Sequence, residues 1–345
     1  MHNTNKNTHP VKSLIIDRFI TNSSPLNRKD SSKLGLVIEG GGMRGVVSAG
    51  MLSALEHLNL LNCFDLVIGS SAGAVNGAYF LAGQSVRAVT SYYENINNEK
   101  FIRNTFKAIT NLMLNKPALD LHYLYNQVIK HEKVLDSDKV LNSLIPLKVI
   151  VSSMKKRKAV VLDNFQTSRQ LIDSLWAGTK IPIITGSPFK MNDDYYWDAF
   201  VYEAIPVKTA LSQGCTHVFV LRSKPMADIN TRLSFIEKNL ICKMIAKRYG
   251  KIFEKDYHKS AIRYKYTINK LNKLNLKYQS SPFIQTINLL PETNVVNQME
   301  KEYTRLVQGA KDGIKAVITN FQDVHPYLKN GWKKIILDKE ILKIV

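Results

Sequence analysis

The chain has 345 residues, 45% of them hydrophobic, and a formal net charge of +20. That length and apolar content suit one large α/β domain or two smaller ones with a sizeable core. The three cysteines, Cys63, Cys215 and Cys242, are an odd count without metal-ligand spacing; they exclude a disulfide framework and fit a reducing compartment. The N-terminal stretch does not read as a secretory signal: its apolar piece "LII" is short and runs into Asp17 and Arg18. No uncharged apolar run is long enough for a membrane span.

Residues 1–33 are rich in Asn, Ser, Thr and Lys and are expected to be a flexible, loosely ordered segment. Regular pattern begins with the apolar run "LGLVIE" (34–39), a buried strand bounded by glycines. Apolar residues at helical spacing, Val47, Met51, Leu55 and Leu58, predict a helix over 46–60. "FDLVIG" (64–69) reads as a second buried strand and "AGAVNGAYFLA" (72–82) as a short helix. Continuous apolar strands alternating with helices imply a mostly parallel sheet flanked by helices on both faces, a three-layer α/β fold. A mostly helical, more polar cap is expected over 84–145. The sheet then resumes at 147–153 and 158–163 as a hairpin across "MKKR", followed by a helix over 167–178 capped by Thr167 or Ser168. A short strand ends at "DYYWDAF" (194–200), a helix covers 201–214, and another strand covers 216–223. Long basic helices over 232–278, a final strand at 281–291 and a final helix at 294–318 complete the chain.

Two glycine-rich turns carry the chemistry. "GGGMRG" (40–45) holds G-x-G-x-x-G at Gly40, Gly42 and Gly45, between a strand and a helix. A dinucleotide site of that type wants an acidic residue closing the next strand. The next strand closes instead on Gly69 and serines. "GSSAG" (69–73) is G-x-S-x-G between strand and helix, the context a nucleophile elbow requires. Gly69 and Gly73 let strand and helix approach, and Ser71 sits at the N-terminus of the helix, where developing negative charge is favoured. Both turns follow strands of one parallel sheet, so they end on the same side. Backbone N–H groups of Gly41, Gly42 and Met43 can then aim at the oxyanion formed when Ser71 attacks an ester carbonyl. Arg44 either orients this loop, pairs with a phosphate or is an exposed charge.

A serine hydroxyl needs a base. None of the eight histidines has a motif around it; His217, the most tempting, begins a strand at the end of the sheet opposite the elbow. The other candidate is Asp198, which ends "YYWD". As a weak base it must work at close range with water excluded, and burial beside Trp197 and Phe200 would raise its pKa.

Together these pieces resemble the patatin-like phospholipase family. "LVIEGGGMRG" resembles its glycine-rich oxyanion loop, "GSSAG" its nucleophile elbow and "YYWDAF…IPV" its catalytic aspartate segment, over about Leu34 to Lys224. The resemblance implies a lipid acyl hydrolase with a Ser–Asp dyad and an acyl-enzyme, Ser71 as nucleophile and Asp198 as base. It implies an oxyanion loop of Gly40, Gly41, Gly42, Met43, Arg44 and Gly45, an elbow completed by Gly69, Ser70, Ala72 and Gly73, and a phospholipid or lysophospholipid substrate. No metal or cofactor is implied. One departure stands out: the family aspartate is normally followed by Gly and then Gly or Ala, whereas Ala199 and Phe200 follow here. If position 199 needs a positive φ, alanine costs roughly 1 kcal/mol or more. A catalytically weak or inactive lipid-binding protein is therefore the alternative expectation.

Between Cys242 and Tyr278 there are eleven Lys/Arg and two acids. Apolar residues at partly helical spacing within 243–277 predict either an amphipathic helix on an anionic membrane or a core-packed helix with a solvated basic face. Nucleic acid is the weakest partner, since no recognition motif accompanies the charge. The expected organisation is a flexible 1–33, a catalytic domain over 34–224 and a basic helical portion over 225–345 packed on it. The expected location is cytoplasmic, with peripheral membrane contact.

Overall fold

A computed structural model describes residues 8–104, 110–112, 114, 116–226, 233–276, 281–289, 293 and 295–321. Its frame is an eight-stranded sheet: β1 (Leu34–Ile38), β2 (Leu66–Ser70), β3 (Leu147–Ser153), β4 (Lys158–Leu162), β5 (Phe189–Met191), β6 (Asp194–Asp198), β7 (His217–Pro225) and β8 (Phe283–Leu289). Hydrogen-bonded neighbours follow β5-β6-β3-β2-β1-β7-β8, with β4 paired to the other edge of β3. The five strands β3, β2, β1, β7 and β8 run parallel, while β4, β5 and β6 add antiparallel pairs. Every residue of β1 and β2 is buried, as expected of parallel strands covered on both faces.

Alternate residues serve the two faces. Leu36, Ile38, Val67, Val149 and Phe219 join the larger core, beneath α1 (Pro10–Ile20), α2 (Gly45–His57), α3 (Ala72–Leu81), α4 (Ser85–Glu94), α5 (Ser168–Gly178) and the C-terminal helix Tyr303–Phe321. Val37, Ile68, Ile150, Val218 and Val220 face a second core with Ile205, Val207, Ala210, Ile268 and Leu271. The covering elements there are α6 (Phe200–Glu203), α7 (Val207–Ser212) and the long basic helix α9 (Lys251–Leu276), which follows α8 (Cys242–Tyr249). The expected three-layer α/β architecture is thus the observed one, and α10 (Tyr303–Phe321) closes it.

Several expectations need correction. Residues 10–33 are not loosely ordered. Val11 and Ile15 are fully buried, and the buried Arg18 pairs with Asp30 at 2.8 Å and Asp65 at 2.7 Å; the polar composition hid an ion-paired anchor. The cap is less helical than expected, with irregular backbone over 95–104 and 116–120. The predicted helix over 201–214 is two short ones, broken where Pro206 lacks an N–H. The last helix starts at Tyr303 rather than 294, and β5 had no sequence signal. Residues 322–345 of the expected C-terminal portion lie outside the described residues. No helix among the described residues is long and apolar enough to cross a membrane.

Candidate active site

The two glycine turns meet at the C-terminal ends of β1 and β2. Ser71 adopts φ 53°, ψ −132° as the residue before α3. A non-glycine residue there is strained by about 1–3 kcal/mol and persists only where its surroundings enforce it. Those surroundings leave no room for side chains. A Cβ on Gly73 would lie 2.6 Å from the Ile38 carbonyl oxygen, and one on Gly40 would lie 2.7 Å from the Ser71 Cβ. Gly69 is equally tight against Ala74. Ser70 bridges the turns: it accepts from the Gly40 N–H at 3.0 Å and donates to the Ala204 carbonyl. Ala72 opens α3, beside Gly45.

The loop 40–45 divides its amides. The Met43 N–H donates to the Gln298 carbonyl at 3.1 Å and the Arg44 N–H to the Gly41 carbonyl at 3.2 Å. Met43 is therefore not free to serve an oxyanion, contrary to expectation. The Gly41 and Gly42 N–H groups have no hydrogen-bond partner among the described residues. Gly42 has φ +58°, a conformation that favours glycine. Arg44 is not an exposed charge; it is buried, and its Nε donates to the Ser223 hydroxyl at 3.1 Å.

Asp198 reaches the elbow through strand register. β2 and β6 run toward each other along the same edge of β3, because one is parallel to it and the other antiparallel. Ser70 pairs with Ile150, and Asp198 pairs with the next residue, Val151. The end of β6 therefore abuts the end of β2. Asp198 is fixed by its own N–H to the Lys180 carbonyl at 2.8 Å and by the Ser152 hydroxyl donating to its carbonyl. Its Oδ1 accepts from the Phe200 N–H at 2.9 Å. Its Oδ2 is buried with no hydrogen-bond partner. Burial pushes the Asp198 carboxyl up to about 6, against a smaller opposing pull from the Ser71 hydroxyl and the Phe200 N–H. Ala199 has φ −55°, so the strain anticipated at this position is absent. Phe200 turns away, packing edge-on against Tyr257 with ring centres 5.3 Å apart.

From Ser71 an apolar cavity extends between α3, α4 and the cap, lined by Val75, Tyr79, Phe101, Leu121, Val128 and Ile181 among others. His217 lies at the start of β7, paired with Leu34 at the opposite end of the sheet from the elbow. No histidine among the described residues lines the cavity. Among those residues no three His, Cys, Asp or Glu side chains cluster to hold a metal. The three cysteines are free and buried.

Sequence reasoning missed the bracing residues. Asn76 donates to the Gly45 carbonyl at 2.8 Å and accepts from Tyr92 at 3.1 Å, tying α2, α3 and α4 together. Glu39 receives the N–H and hydroxyl of Ser223 and the hydroxyl of Tyr264. A carboxylate closing a fully buried strand must be partnered, and that was the one signal available for Glu39.

A strand–serine–helix elbow beside a glycine loop and a buried aspartate thus stands on a mostly parallel α/β sheet. The family model described as patatin-like phospholipase matches residues 36–211, and the chain belongs to that family. It is 27% identical over 213 residues to the uncharacterized protein YjjU of Escherichia coli (strain K12), a match covering 59% of this chain and 56% of that one. The chain thus spans only about half the length of that relative. Among solved structures, VipD from Legionella pneumophila aligns over 91% of this chain and 74% of its own, at 14% identity and a TM-score of 0.45.

Proposed function

We propose that this protein is a serine hydrolase that cleaves carboxylic ester bonds of phospholipids or lysophospholipids, with Ser71 as nucleophile and Asp198 as base. The Ser71 oxygen attacks the ester carbonyl carbon while its proton passes to Asp198. The tetrahedral oxyanion is met by the Gly41 and Gly42 N–H groups, worth on the order of 10²–10³ in rate per donor. Asp198 returns the proton to the departing alcohol oxygen, leaving an acyl-Ser71 ester. Water then attacks that ester, giving its proton to Asp198, and the fatty acid leaves as Ser71 is reprotonated. The apolar cavity suits an acyl chain.

The observation that carries this reading is the buried Asp198 carboxyl at the elbow, on which the Ser71 hydroxyl is the one side chain that acts to lower the pKa. Its Oδ2 makes no other hydrogen bond; a buried carboxylate oxygen short of donors is costly, and the Ser71 proton is the one within its reach. Ala199 at φ −55° supports the active reading over an inactive one, since the strain expected of alanine there is absent. A fluorophosphonate probe tests the reading: it should label the wild type and not Ser71→Ala. Labelling of Ser71→Ala at the wild-type rate, or none of the wild type, would sink it.

The basic segment supports peripheral contact with an anionic membrane. Helix α9 buries Tyr257, Ile268 and Leu271, and exposes Lys251, Lys255, Lys259, Ile262, Lys265, Tyr266, Lys270 and Lys273. It therefore packs on the core and still presents a lysine face with apolar residues set in it. Each such lysine near an anionic surface contributes about 1 kcal/mol.

A further inference from the structure

The oxyanion loop is held from below by a buried polar chain that begins on the basic helix. Tyr264, on α9, donates its hydroxyl to Glu39 Oε1. Glu39 Oε2 accepts from the Ser223 N–H at 2.7 Å and the Ser223 hydroxyl at 3.0 Å. The same Ser223 hydroxyl oxygen accepts from Arg44 Nε at 3.1 Å. The Arg44 side chain lies under the loop, so that a Cβ on Gly41 would come within 3.2 Å of its Nε. Glu39, Arg44 and Ser223 are all buried.

The chain has one polarity. The carboxylate of Glu39 carries no hydrogen of its own, so it needs donors, and it has three. The Ser223 hydroxyl spends its proton on Glu39, which leaves its lone pairs for Arg44. Burial and the adjacent Glu39 push the Tyr264 hydroxyl's pKa up, which favours its protonated, donating form. The guanidinium is thereby fixed in one position, and through it the segment whose Gly41 and Gly42 amides are free. From above, the Gln298 carbonyl holds Met43. The loop is clamped from two sides by parts of the chain far from it in sequence.

We propose that Tyr264 is a positioning residue for the oxyanion loop, acting through Glu39, Ser223 and Arg44. The inference rests on the hydrolase reading above for its catalytic consequence, but its structural consequence can be measured without turnover. It gives α9 a second task beyond covering the sheet: one face carries lysines and the other sets the geometry of the loop at Ser71.

Tyr264→Phe and Ser223→Ala, each in the full chain, test it. Turnover of a soluble ester is expressed per fluorophosphonate-titrated site, so that a misfolded fraction drops out. Either substitution should lower kcat about tenfold with KM within twofold, because the loop's amides act mainly on the transition state. Amide hydrogen exchange should quicken several-fold over residues 40–45 in Tyr264→Phe and stay unchanged over Ser168–Gly178. Wild-type kcat together with wild-type exchange over 40–45 would overturn the proposal. Faster exchange at the loop in a protein whose wild type turns over no ester would uphold the clamp and sink the hydrolase reading.

Discussion

At the scale of single residues, the site concentrates two local costs, the positive φ of Ser71 and the buried carboxylate of Asp198. The second has a pH signature. A base must be ionised to accept the serine proton, so kcat/KM should fall about tenfold per pH unit below about 6 and level off above it. A pH–rate profile on a soluble ester checks this; a flat profile between pH 4 and 7 would exclude Asp198 as the base. The sign for stability is opposite. The folded-state pKa of Asp198 is raised from 3.8 to about 6, so the folded state binds the proton more tightly. Its stability contribution is therefore fully present below the unfolded value and lost as pH rises through about 6. At neutral pH the buried charge costs about 3 kcal/mol, since each tenfold gain in proton affinity on folding corresponds to roughly 1.4 kcal/mol. Asp198→Asn should abolish turnover yet raise the melting temperature at pH 8, with the gain vanishing near pH 4. A variant less stable than wild type at pH 8 would contradict this.

At the scale of elements, the strands and turns that build the site are legible in the sequence and the braces are not. β1, β2 and their glycine turns announce themselves because a parallel strand buried on both faces reads as an unbroken apolar run, and the close packing at Gly40, Gly69 and Gly73 admits no other residue. Gly73→Ala should cost about 2–3 kcal/mol, as an added methyl would lie 2.6 Å from the Ile38 carbonyl. Chemical denaturation checks this, and a change below about 0.5 kcal/mol would mean the two turns are not in contact. By contrast, Ser223 and Tyr264 sit 184 and 225 positions from Glu39, and no local pattern foretells such partners. The three-residue β5 is too short for a periodic signal. The late start of α10 has a related cause: the stretch before it bends to place the Gln298 carbonyl on Met43. Likewise, "DAF" reads as a fault in the motif only because the backbone angle at Ala199 cannot be read from residue type.

At the scale of the whole molecule, a net charge of +20 is gathered partly on the exposed side of α9, across the sheet from the apolar cavity. Charge on a solvated face is screened by salt. Binding to vesicles containing anionic lipid should therefore weaken steeply between about 50 and 500 mM salt, and weaken at any salt when Lys255, Lys259, Lys265 and Lys270 are replaced by Gln. Binding indifferent to salt and to those substitutions would assign the lysine face to solvation alone. Which bond of the lipid breaks distinguishes acyl transfer from chemistry at phosphorus. Hydrolysis of a phospholipid in oxygen-18 water, followed by mass spectrometry of the products, tests it most directly. Acyl transfer through Ser71 predicts free fatty acid carrying the heavy oxygen in its carboxyl group, reduced at least 10³-fold in Ser71→Ala and in Asp198→Asn. Heavy oxygen recovered in a phosphate product, or fatty acid released undiminished by Ser71→Ala, would contradict it.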